Sequence, residues 1–297
     1  MRLFVGLAVL AAAAPLAAQE AVEIESIDLA PGIHMLIGRG GNIGVSSGPD
    51  GVFLIDDQYA PLTERIVGAI REFTDGPIRF VLNTHWHGDH TGGNENLGKA
   101  GALIVAHDNV RERMSVEQFM EAFDRRVPAS PQDALPVVTF GETVTFHLNG
   151  DEIHVFHVPH AHTDGDVIVH FRNANVVHMG DTYFAGRYPF IDIGSGGSID
   201  GVIAAADVAL ELMDDETKVI PGHGALSTKA DLRQYRDVLA TVRDRVAEAM
   251  AAGRSLDDIK GAGLTSEWDA TWGGGFINPE RFIESVHASL QEAGEGR

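Results

Sequence analysis

The chain carries, directly behind the short apolar run 78–82, the sequence Asn83-Thr84-His85-Trp86-His87-Gly88-Asp89-His90-Thr91-Gly92-Gly93-Asn94. Three histidines and one aspartate fall within six positions, and imidazole and carboxylate are ligands that zinc prefers. Alternate side chains of an extended segment share a face, so His85 and His87 are expected to converge on one point. Asp89 and His90 follow the turn at Gly88 and are expected to point to a second. The stretch therefore predicts half of a two-metal hydrolytic site.

The composition limits the classes of protein to which the chain can belong. Its 297 residues, 44% of them hydrophobic, suffice for one large domain or two small ones. The formal net charge of −21 argues against a nucleic-acid binder, because phosphate contacts require clusters of lysine and arginine. It also means that any recognition of an anionic substrate must be local. The chain has no cysteine, which excludes disulfides, thiolate nucleophiles and cysteine-ligated metals.

Residues 1–18 have the pattern of an export signal. Arg2 supplies a positive start, residues 3–15 form an apolar run, and Ala17-Ala18 offer small residues for cleavage. The run is shorter than the roughly 20 residues that a membrane span needs, and a chain without cysteine cannot carry a lipoprotein anchor. We therefore expect a mature protein of residues 19–297, forming a single domain in the periplasm or outside the cell.

The pattern along the chain predicts two layers of strands with helices outside them. Residues 22–56 alternate apolar runs with glycine-rich turns, as in a β-meander, and the runs 143–148 and 153–158 form a hairpin around Asn149-Gly150-Asp151. Helical spacing of apolar residues marks 61–73, 199–213, 230–252 and 279–292. Segment 115–136 is irregular and is the one candidate lid over a cleft. Strands followed by helices, twice over, indicate two sheets packed face to face.

Three later segments carry ligand-type side chains where a predicted strand ends. They contain His160 and His162, then Asp181, then His223. Loops at strand ends are where a rigid scaffold holds ligands together. These segments are candidates for the second half of the site.

Over roughly residues 30–225, the chain resembles the metallo-β-lactamase-fold zinc hydrolases. The resemblance lies in five short motifs: Asp56 after an early strand, HxHxDH at 85–90, His162-Thr163, Gly180-Asp181 and Pro221-Gly222-His223. The resemblance implies an α/β fold, the αββα sandwich, with two zinc ions at one edge. It implies one zinc site of His85, His87 and His162 and a second of Asp89, His90 and His223. Asp181 would bridge the ions, and Asp56 would orient the motif. His162 is preferred over His160 because the family's ligand directly precedes threonine.

The resemblance also implies a chemistry. Two zinc ions share a water and lower its pKa, so that the resulting hydroxide attacks a carbonyl. Asp89 would orient this water, and Tyr183 is a candidate donor to the developing oxyanion, unless it is simply packed. The expected export favours a β-lactam as substrate, whereas an aspartate at position 181 resembles lactonases and glyoxalase-II-like thioesterases. A mono-iron persulfide dioxygenase and a non-catalytic periplasmic binding protein are further alternatives.

The sequence predicts the residues that contact the substrate less specifically than it predicts the metal ligands. Arg187, Lys218 and Lys229 are candidates to bind a substrate carboxylate, or are ordinary surface charges. Trp86, Trp268 and Trp272 are candidates to wall an apolar substrate, or are packed aromatics. Residues 273–275 precede Phe276 as a glycine-rich rim or turn. The partner is expected to be a small molecule with a hydrolysable carbonyl, and the sequence leaves the oligomeric state open.

Overall fold

A computed structural model describes residues 22–295 of the chain. The expected export signal, 1–18, lies outside the described residues. Within 22–295, no helix is both long enough and apolar enough to cross a membrane.

The described part of the chain alternates short strands and helices. The strands are β1 (Glu25–Ala30), β2 (Ile33–Ile37), β3 (Ile43–Gly48), β4 (Gly51–Ile55), β5 (Ile78–Leu82), β6 (Leu103–His107), β7 (Gln118–Met120), β8 (Arg125–Val127), β9 (Val138–Phe140), β10 (Thr143–Leu148), β11 (Asp151–His157), β12 (Val167–Phe171), β13 (Val176–His178), β14 (Lys218–Ile220) and β15 (Ser227–Thr228). The α-helices are α1 (Thr63–Ile70), α2 (Gly88–Thr91), α3 (Asn94–Lys99), α4 (Asp108–Met114), α5 (Ile199–Leu212), α6 (Lys229–Ala251), α7 (Leu256–Lys260), α8 (Asp269–Trp272) and α9 (Pro279–Glu295).

Two mixed sheets form the centre of the fold. The first has the order β1-β2-β3-β4-β5-β6-β9 and the second the order β10-β11-β12-β13-β14-β15. In the first sheet the meander β1 to β4 is antiparallel, and β4, β5, β6 and β9 are parallel. The parallel strands are buried because the helices that connect them cover one face, which explains their continuous apolar runs. The carboxyl ends of β4, β5 and β6 therefore share one edge.

The two sheets pack against each other through apolar side chains. Phe53 of β4 lies 4.8 Å, between ring centroids, from Phe146 of β10, and Val155 and Val169 of the second sheet belong to the same buried cluster. Helix α1 covers the outer face of the first sheet, where Ile66 and its neighbours are buried. Helices α5, α6 and α9 cover the second sheet. The predicted α/β class and αββα arrangement are confirmed.

Several elements were absent from the expectation drawn from sequence. β1, β9 and β15 are edge strands, and β9 and β15 are only three and two residues long. The irregular segment 115–136 contains a small hairpin of β7 and β8, in which Met120 pairs with Arg125. This hairpin is named the β7–β8 hairpin below. It stands over the same edge of the sandwich as the loops that follow the parallel strands, because Met120, Phe123 and Arg125 line a cavity with Asp89 and His223.

Candidate metal centre

The structure brings all seven predicted ligands to one edge of the sandwich. Their nitrogen and carboxylate oxygen atoms form three overlapping groups within 4.8 Å: His85, His87 and His162; His85, His90 and Asp181; and Asp89, His90 and His223. The first is named the three-histidine group and the last the aspartate group. They come from the loops after β5, β11, β13 and β14, which lie far apart in sequence.

In the three-histidine group, hydrogen bonds fix which ring nitrogen faces inward. The Nε2 of His162 lies 2.9 Å from the Nδ1 of His87, while the Nδ1 of His162 donates to the carbonyl of Phe190 at 2.8 Å. The Nε2 of His87 lies 2.9 Å from the Oδ2 of Asp192, which has no proton to give as a carboxylate. His87 therefore donates through Nε2 and keeps Nδ1 free for a metal ion.

Asp56 organises the motif from behind, as the resemblance implied. It is fully buried and adopts a positive φ of 65° at the end of β4. Its Oδ1 accepts from the backbone N–H of Thr84 at 2.7 Å, and its Oδ2 accepts from the Thr84 hydroxyl and the His90 Nδ1, each at 2.7 Å. The Nε2 of His90 is thereby turned toward Asp181. One buried carboxylate thus sets both the loop backbone and the orientation of a histidine.

Asp181 lies between the two groups. Its Oδ1 is 3.1 Å from the Nε2 of His90, and its Oδ2 is 3.4 Å from the Nε2 of His223. The same Oδ2 lies 3.7 Å and 3.9 Å from the Nε2 atoms of His162 and His85. Both oxygens approach the aspartate group, and Oδ2 also approaches the three-histidine group, so the carboxylate is placed to contact both groups, as a bridging ligand would.

Three buried polar atoms at the centre have no hydrogen-bond partner: the Nε2 of His85, the Nε2 of His90 and the Oδ1 of Asp181. Such atoms carry a desolvation cost unless another group satisfies them. The Nε2 of His90 and the Oδ1 of Asp181 lie 3.1 Å apart, and the Nε2 of His85 belongs to the same potential ligand group. A metal ion with nitrogen and oxygen ligands would satisfy all three, so the residues fit the zinc ions that the resemblance implies.

The electrostatics of the centre fit a cation as well. Burial lowers the pKa of His162 to about 4 and that of His85 well below its usual value, which leaves both neutral, as ligands must be. Burial also lowers the pKa of His223, but Asp181 and Asp89 raise it more, to about 9. Burial raises the pKa of Asp89, while His90 and His223 together lower it to about 2. The positive charge of protonated His223 therefore balances the negative charge of Asp89 and Asp181, which a divalent cation would also neutralise.

A cavity of about 350 Å³ opens onto this centre, and His87, Asp89, Asp181 and His223 line it. Its remaining walls combine arginines with aromatic and aliphatic side chains: Arg39, Tyr59, Met120, Phe123, Arg125, Phe184, Arg187, Tyr188, Phe190, Phe276 and Ile277. The segment expected to form a lid contributes Met120, Phe123 and Arg125. Arg187 also lines the cavity, which its interpretation as a contact to a substrate carboxylate requires.

Other predicted site residues lie elsewhere. Tyr183, the candidate oxyanion donor, is not among the residues that line the cavity: its ring is buried against Tyr235 and its hydroxyl donates to Ser227 at 3.1 Å, which favours the packing alternative. Lys218 and Lys229 donate to the backbone carbonyls of Leu29 and Met213 and do not line the cavity.

The tryptophans do not wall the cavity either. Trp86 is buried and packs against the ring of His87, while Trp272 is buried between Tyr188 and Tyr235. Trp268 lies under the guanidinium of Arg245. All three therefore have the packing role that was the alternative interpretation. His160 is exposed, and its Nδ1 lies 3.0 Å from the carbonyl of Gly196, so the choice of His162 as the ligand-group residue agrees with the geometry.

Sequence reasoning did not identify the residues that hold the metal-centre loops and side chains through hydrogen bonds from distant parts of the chain. The Nδ2 of Asn42 donates to the carbonyls of Pro221 and Gly224, each at 2.9 Å, which holds the loop that carries His223. Asp192 was missed because it sits in a loop 105 residues beyond His87 with no motif around it. Arg39, Tyr59, Phe184 and Phe190 line the cavity and likewise lack any local signal.

Comparison with known proteins shows which family the sequence matches. A family model described as the metallo-beta-lactamase superfamily matches residues 37–223. Two curated proteins named hydroxyacylglutathione hydrolase are similar: that of Pelagibacter ubique is 26% identical over 49% of this chain and 52% of its own length. That of Polaromonas sp. is 31% identical over 62% of this chain and 65% of its own length. The chain thus spans between 35% and 65% of the length of such relatives.

Solved structures share the architecture. The sec-alkylsulfatase Pisa1 from Pseudomonas sp. aligns with a TM-score of 0.68 at 17% identity, over 89% of this chain and 50% of that one. A metallo-beta-lactamase from Pontibacter korlensis aligns with a TM-score of 0.60 at 19% identity, over 73% of this chain and 99% of that one. At these identities the likeness shows the fold alone. The family model, in contrast, covers more than half of the chain and the loops of the metal centre, and the chain belongs to the metallo-β-lactamase superfamily.

Proposed function

We propose that the protein is a binuclear zinc hydrolase that cleaves a carbonyl compound. The observation that carries this proposal is Asp181, whose two oxygens face His90 on one side and His223, His162 and His85 on the other. The three-histidine group would hold one ion and the aspartate group the other. When bound, the ions supply Lewis acidity and lower the pKa of water.

The protein's own residues set the geometry around that chemistry. Asp89 is partly exposed to the cavity, and its Oδ2 lies 3.3 Å from the Nε2 of His223, so it is placed to accept a proton or to orient a water molecule. Asp56 and Asp192 keep His90 and His87 in the required tautomers. Phe184, stacked 5.3 Å from the ring of His223, and Phe190 exclude water from part of the centre.

A β-lactam is the substrate we place first. It is a carboxylate-bearing cyclic amide, and the arginines at the cavity mouth offer partners for its anionic group. The predicted export signal supports an extracellular substrate. No hydroxyl nucleophile is needed, and no serine lines the cavity among the described residues.

A thioester or lactone is the second candidate. Aspartate rather than cysteine stands at the bridging position, and proteins named hydroxyacylglutathione hydrolase recur among the curated relatives. The complete aspartate group argues against a mono-iron oxygenase, because one metal ion would leave His223 and Asp89 without a role. Metal analysis of the purified protein separates these cases: two zinc ions per chain support the proposal, and one iron contradicts it.

The proposal is tested with a substrate panel and a pair of matched variants. Purified protein is assayed on a chromogenic cephalosporin, a carbapenem, an acyl-homoserine lactone and a thioester, before and after chelation and after zinc is returned. Activity is expected to disappear with the metal and to return with it. His162→Ala is expected to abolish turnover, while His160→Asn, in the same loop but outside the metal groups, should leave it within about twofold. Activity that survives thorough chelation contradicts the metal mechanism.

Export of the protein is a separate proposal with its own test. Expression of the full chain in a bacterial host, followed by fractionation, is expected to yield periplasmic or secreted protein whose amino terminus lies near Gln19. Recovery of uncleaved protein from the cytoplasm would contradict export and would weaken the argument for a β-lactam.

A further inference from the structure

The cavity over the metal centre has an aromatic side. The ring of Phe190 lies 5.9 Å from that of His87 and 5.5 Å from that of His162, so this side adjoins the three-histidine group. Phe123 lies 5.4 Å from Phe190 and stacks on Phe276 at 5.3 Å. Phe123 and Phe276 are 43% and 55% exposed, which leaves an apolar surface open to solvent beside the centre.

A cationic side adjoins Asp89 instead. Arg39 lies in the loop between β2 and β3, and that loop is tied to the motif by a hydrogen bond from the Gly41 N–H to the Asp89 carbonyl at 3.1 Å. Arg125, from the β7–β8 hairpin, lines the same cavity. Tyr59 and Asp89 line it as well, so the two arginines, the phenol and the carboxylate face one cavity.

These two arginines lack an anionic partner. Across residues 22–295 neither has a carboxylate oxygen within 4.0 Å, whereas the adjacent Arg126 pairs with Glu117 at 2.5 Å and Arg113 pairs with Asp164 at 2.7 Å. The chain holds 43 acidic and 22 basic side chains, so carboxylates are plentiful. Guanidinium groups left unpaired at a cavity mouth are suited to bind a carboxylate from solution, often through two hydrogen bonds.

We propose that the cavity binds an amphiphilic anion, with an apolar chain or ring against Phe190, Phe123 and Phe276 and a carboxylate or similar group at Arg39 and Arg125. The inference rests on the proposed function only in placing the hydrolysable carbonyl between the two sides, over the metal centre. Because Phe123 and Arg125 stand two positions apart, the β7–β8 hairpin supplies a contact to each end of such a substrate. This arrangement orients the substrate as well as selecting it.

Binding of a non-hydrolysable probe tests the inference without any turnover. Isothermal titration of the zinc-loaded protein is carried out with 4-phenylbutane-1-sulfonate, whose sulfonate is a weak metal ligand. Two partial probes accompany it: methanesulfonate, which lacks the apolar body, and 4-phenylbutanamide, which lacks the charge. The complete probe is expected to bind at least tenfold more tightly than either partial probe.

Matched variants assign each side of the cavity. Arg39→Gln and Arg125→Gln are each expected to weaken binding of the complete probe by about tenfold, which corresponds to about 1.4 kcal/mol, and to leave binding of 4-phenylbutanamide unchanged. Arg126→Gln, which removes the neighbouring paired arginine, should change the affinity by less than twofold. Phe276→Ala is expected to weaken both phenyl-containing probes by about tenfold, while Phe119→Ala, at an exposed phenylalanine outside the cavity, should not.

The inference is overturned if the double variant Arg39→Gln/Arg125→Gln binds the complete probe as the wild type does. It is also overturned if Arg187→Gln alone removes the preference for the anion, because the anion would then sit beside Gly275 rather than near Asp89. Arginine-dependent binding in a protein that hydrolyses nothing in the substrate panel would refute the proposed function and leave this inference standing. Hydrolysis by a protein whose probe binding does not depend on Arg39 or Arg125 would support the proposed function and refute this inference.

Discussion

The carboxylate of Asp192 lies 2.9 Å from the Nε2 of His87, in a buried pair that links the HxHxDH motif to a loop 105 residues further along the chain. The same loop receives the Nδ1–H of His162 at the carbonyl of Phe190, and the Asp192 N–H donates to the carbonyl of His162 at 2.9 Å. A single segment thus orients two of the three histidines. Partners of this kind fix the tautomer of a metal ligand and raise its basicity.

Removal of the Asp192 carboxylate is therefore expected to weaken metal binding. Asp192→Ala should lower the zinc affinity of the protein by about 10–100-fold, and Asp192→Asn should lower it less, because an amide oxygen still accepts from Nε2–H. Competition with a chromophoric chelator measures this directly. Asp200→Asn is the control, since Asp200 is an exposed partner of Arg243 and belongs neither to the metal groups nor to the cavity lining. Equal zinc affinities for Asp192→Ala and the control would contradict the role assigned to Asp192.

Gly222 is required by the close approach of Asp181. A Cβ added there would lie 2.0 Å from the Oδ1 of Asp181 and 2.6 Å from the carbonyl oxygen of Gly180, and the backbone oxygen cannot move aside. Gly222→Ala is expected to displace Asp181 or the His223 loop and to reduce kcat by about 100-fold or more.

The matched control for Gly222 is Gly68→Ala, at an exposed position of α1 that does not line the cavity. A Cβ at Gly68 would meet nothing within 4 Å, so this variant should keep its zinc and its activity. Zinc content and kcat are measured for both variants. A Gly222→Ala protein with wild-type kcat would show that Asp181 does not need its present position.

Tyr183→Phe separates a packing role from a catalytic one. The hydroxyl of Tyr183 donates to Ser227, so its loss is expected to lower the free energy of unfolding by about 1 kcal/mol and to leave kcat within about twofold. A group that donated to the oxyanion would instead be worth about 100-fold or more in kcat. Urea unfolding and steady-state kinetics give both values, and a 100-fold loss of kcat would restore the catalytic interpretation.

The buried imidazole of His178 is expected to make the free energy of unfolding depend on pH. Burial lowers the pKa of this imidazole to about 4, from about 6.5 in an unfolded chain. Between these values the unfolded chain binds a proton that the folded chain excludes, so the free energy of unfolding falls as the pH drops from about 6.5 to 4. The contribution of His178, up to about 3 kcal/mol, is intact above pH 6.5.

Urea unfolding of chelated protein at several pH values checks this contribution. His178→Gln is expected to be less stable at pH 7, because the Nε2 of His178 lies 3.1 Å from the carbonyl oxygen of Asn42, and to lose less stability on acidification. His147→Gln, at an exposed histidine of β10, should keep the wild-type slope. Equal slopes in the wild type and His178→Gln would show that His178 is not the group responsible.

Local sequence determined the elements and the ligand types. The run Ile78–Leu82 forms a strand before the motif because all of its residues except Arg79 are apolar and favour a strand, and α6 begins at Lys229 because Thr228 and Asp231 form a capping box. The seven ligand-type residues could be found because each follows a strand. Tyr183 and the tryptophans could not be assigned, since an aromatic side chain has the same local pattern whether it faces a cavity or the core.

Tertiary structure decided everything that depends on distant segments meeting. Asp192 contacts His87, Asn42 holds the Pro221–Gly224 carbonyls, and Arg39 reaches the cavity that the β7–β8 hairpin also lines, all across separations that carry no periodic or spacing signal. The sequence by itself determined that a metal-ligating set of histidines and aspartates lies at strand ends of an αββα sandwich. Only the packing of the two sheets decided which ring nitrogen faces inward and which side chains form the walls, because hydrogen bonds and burial are set by three-dimensional neighbours rather than by neighbours in the chain.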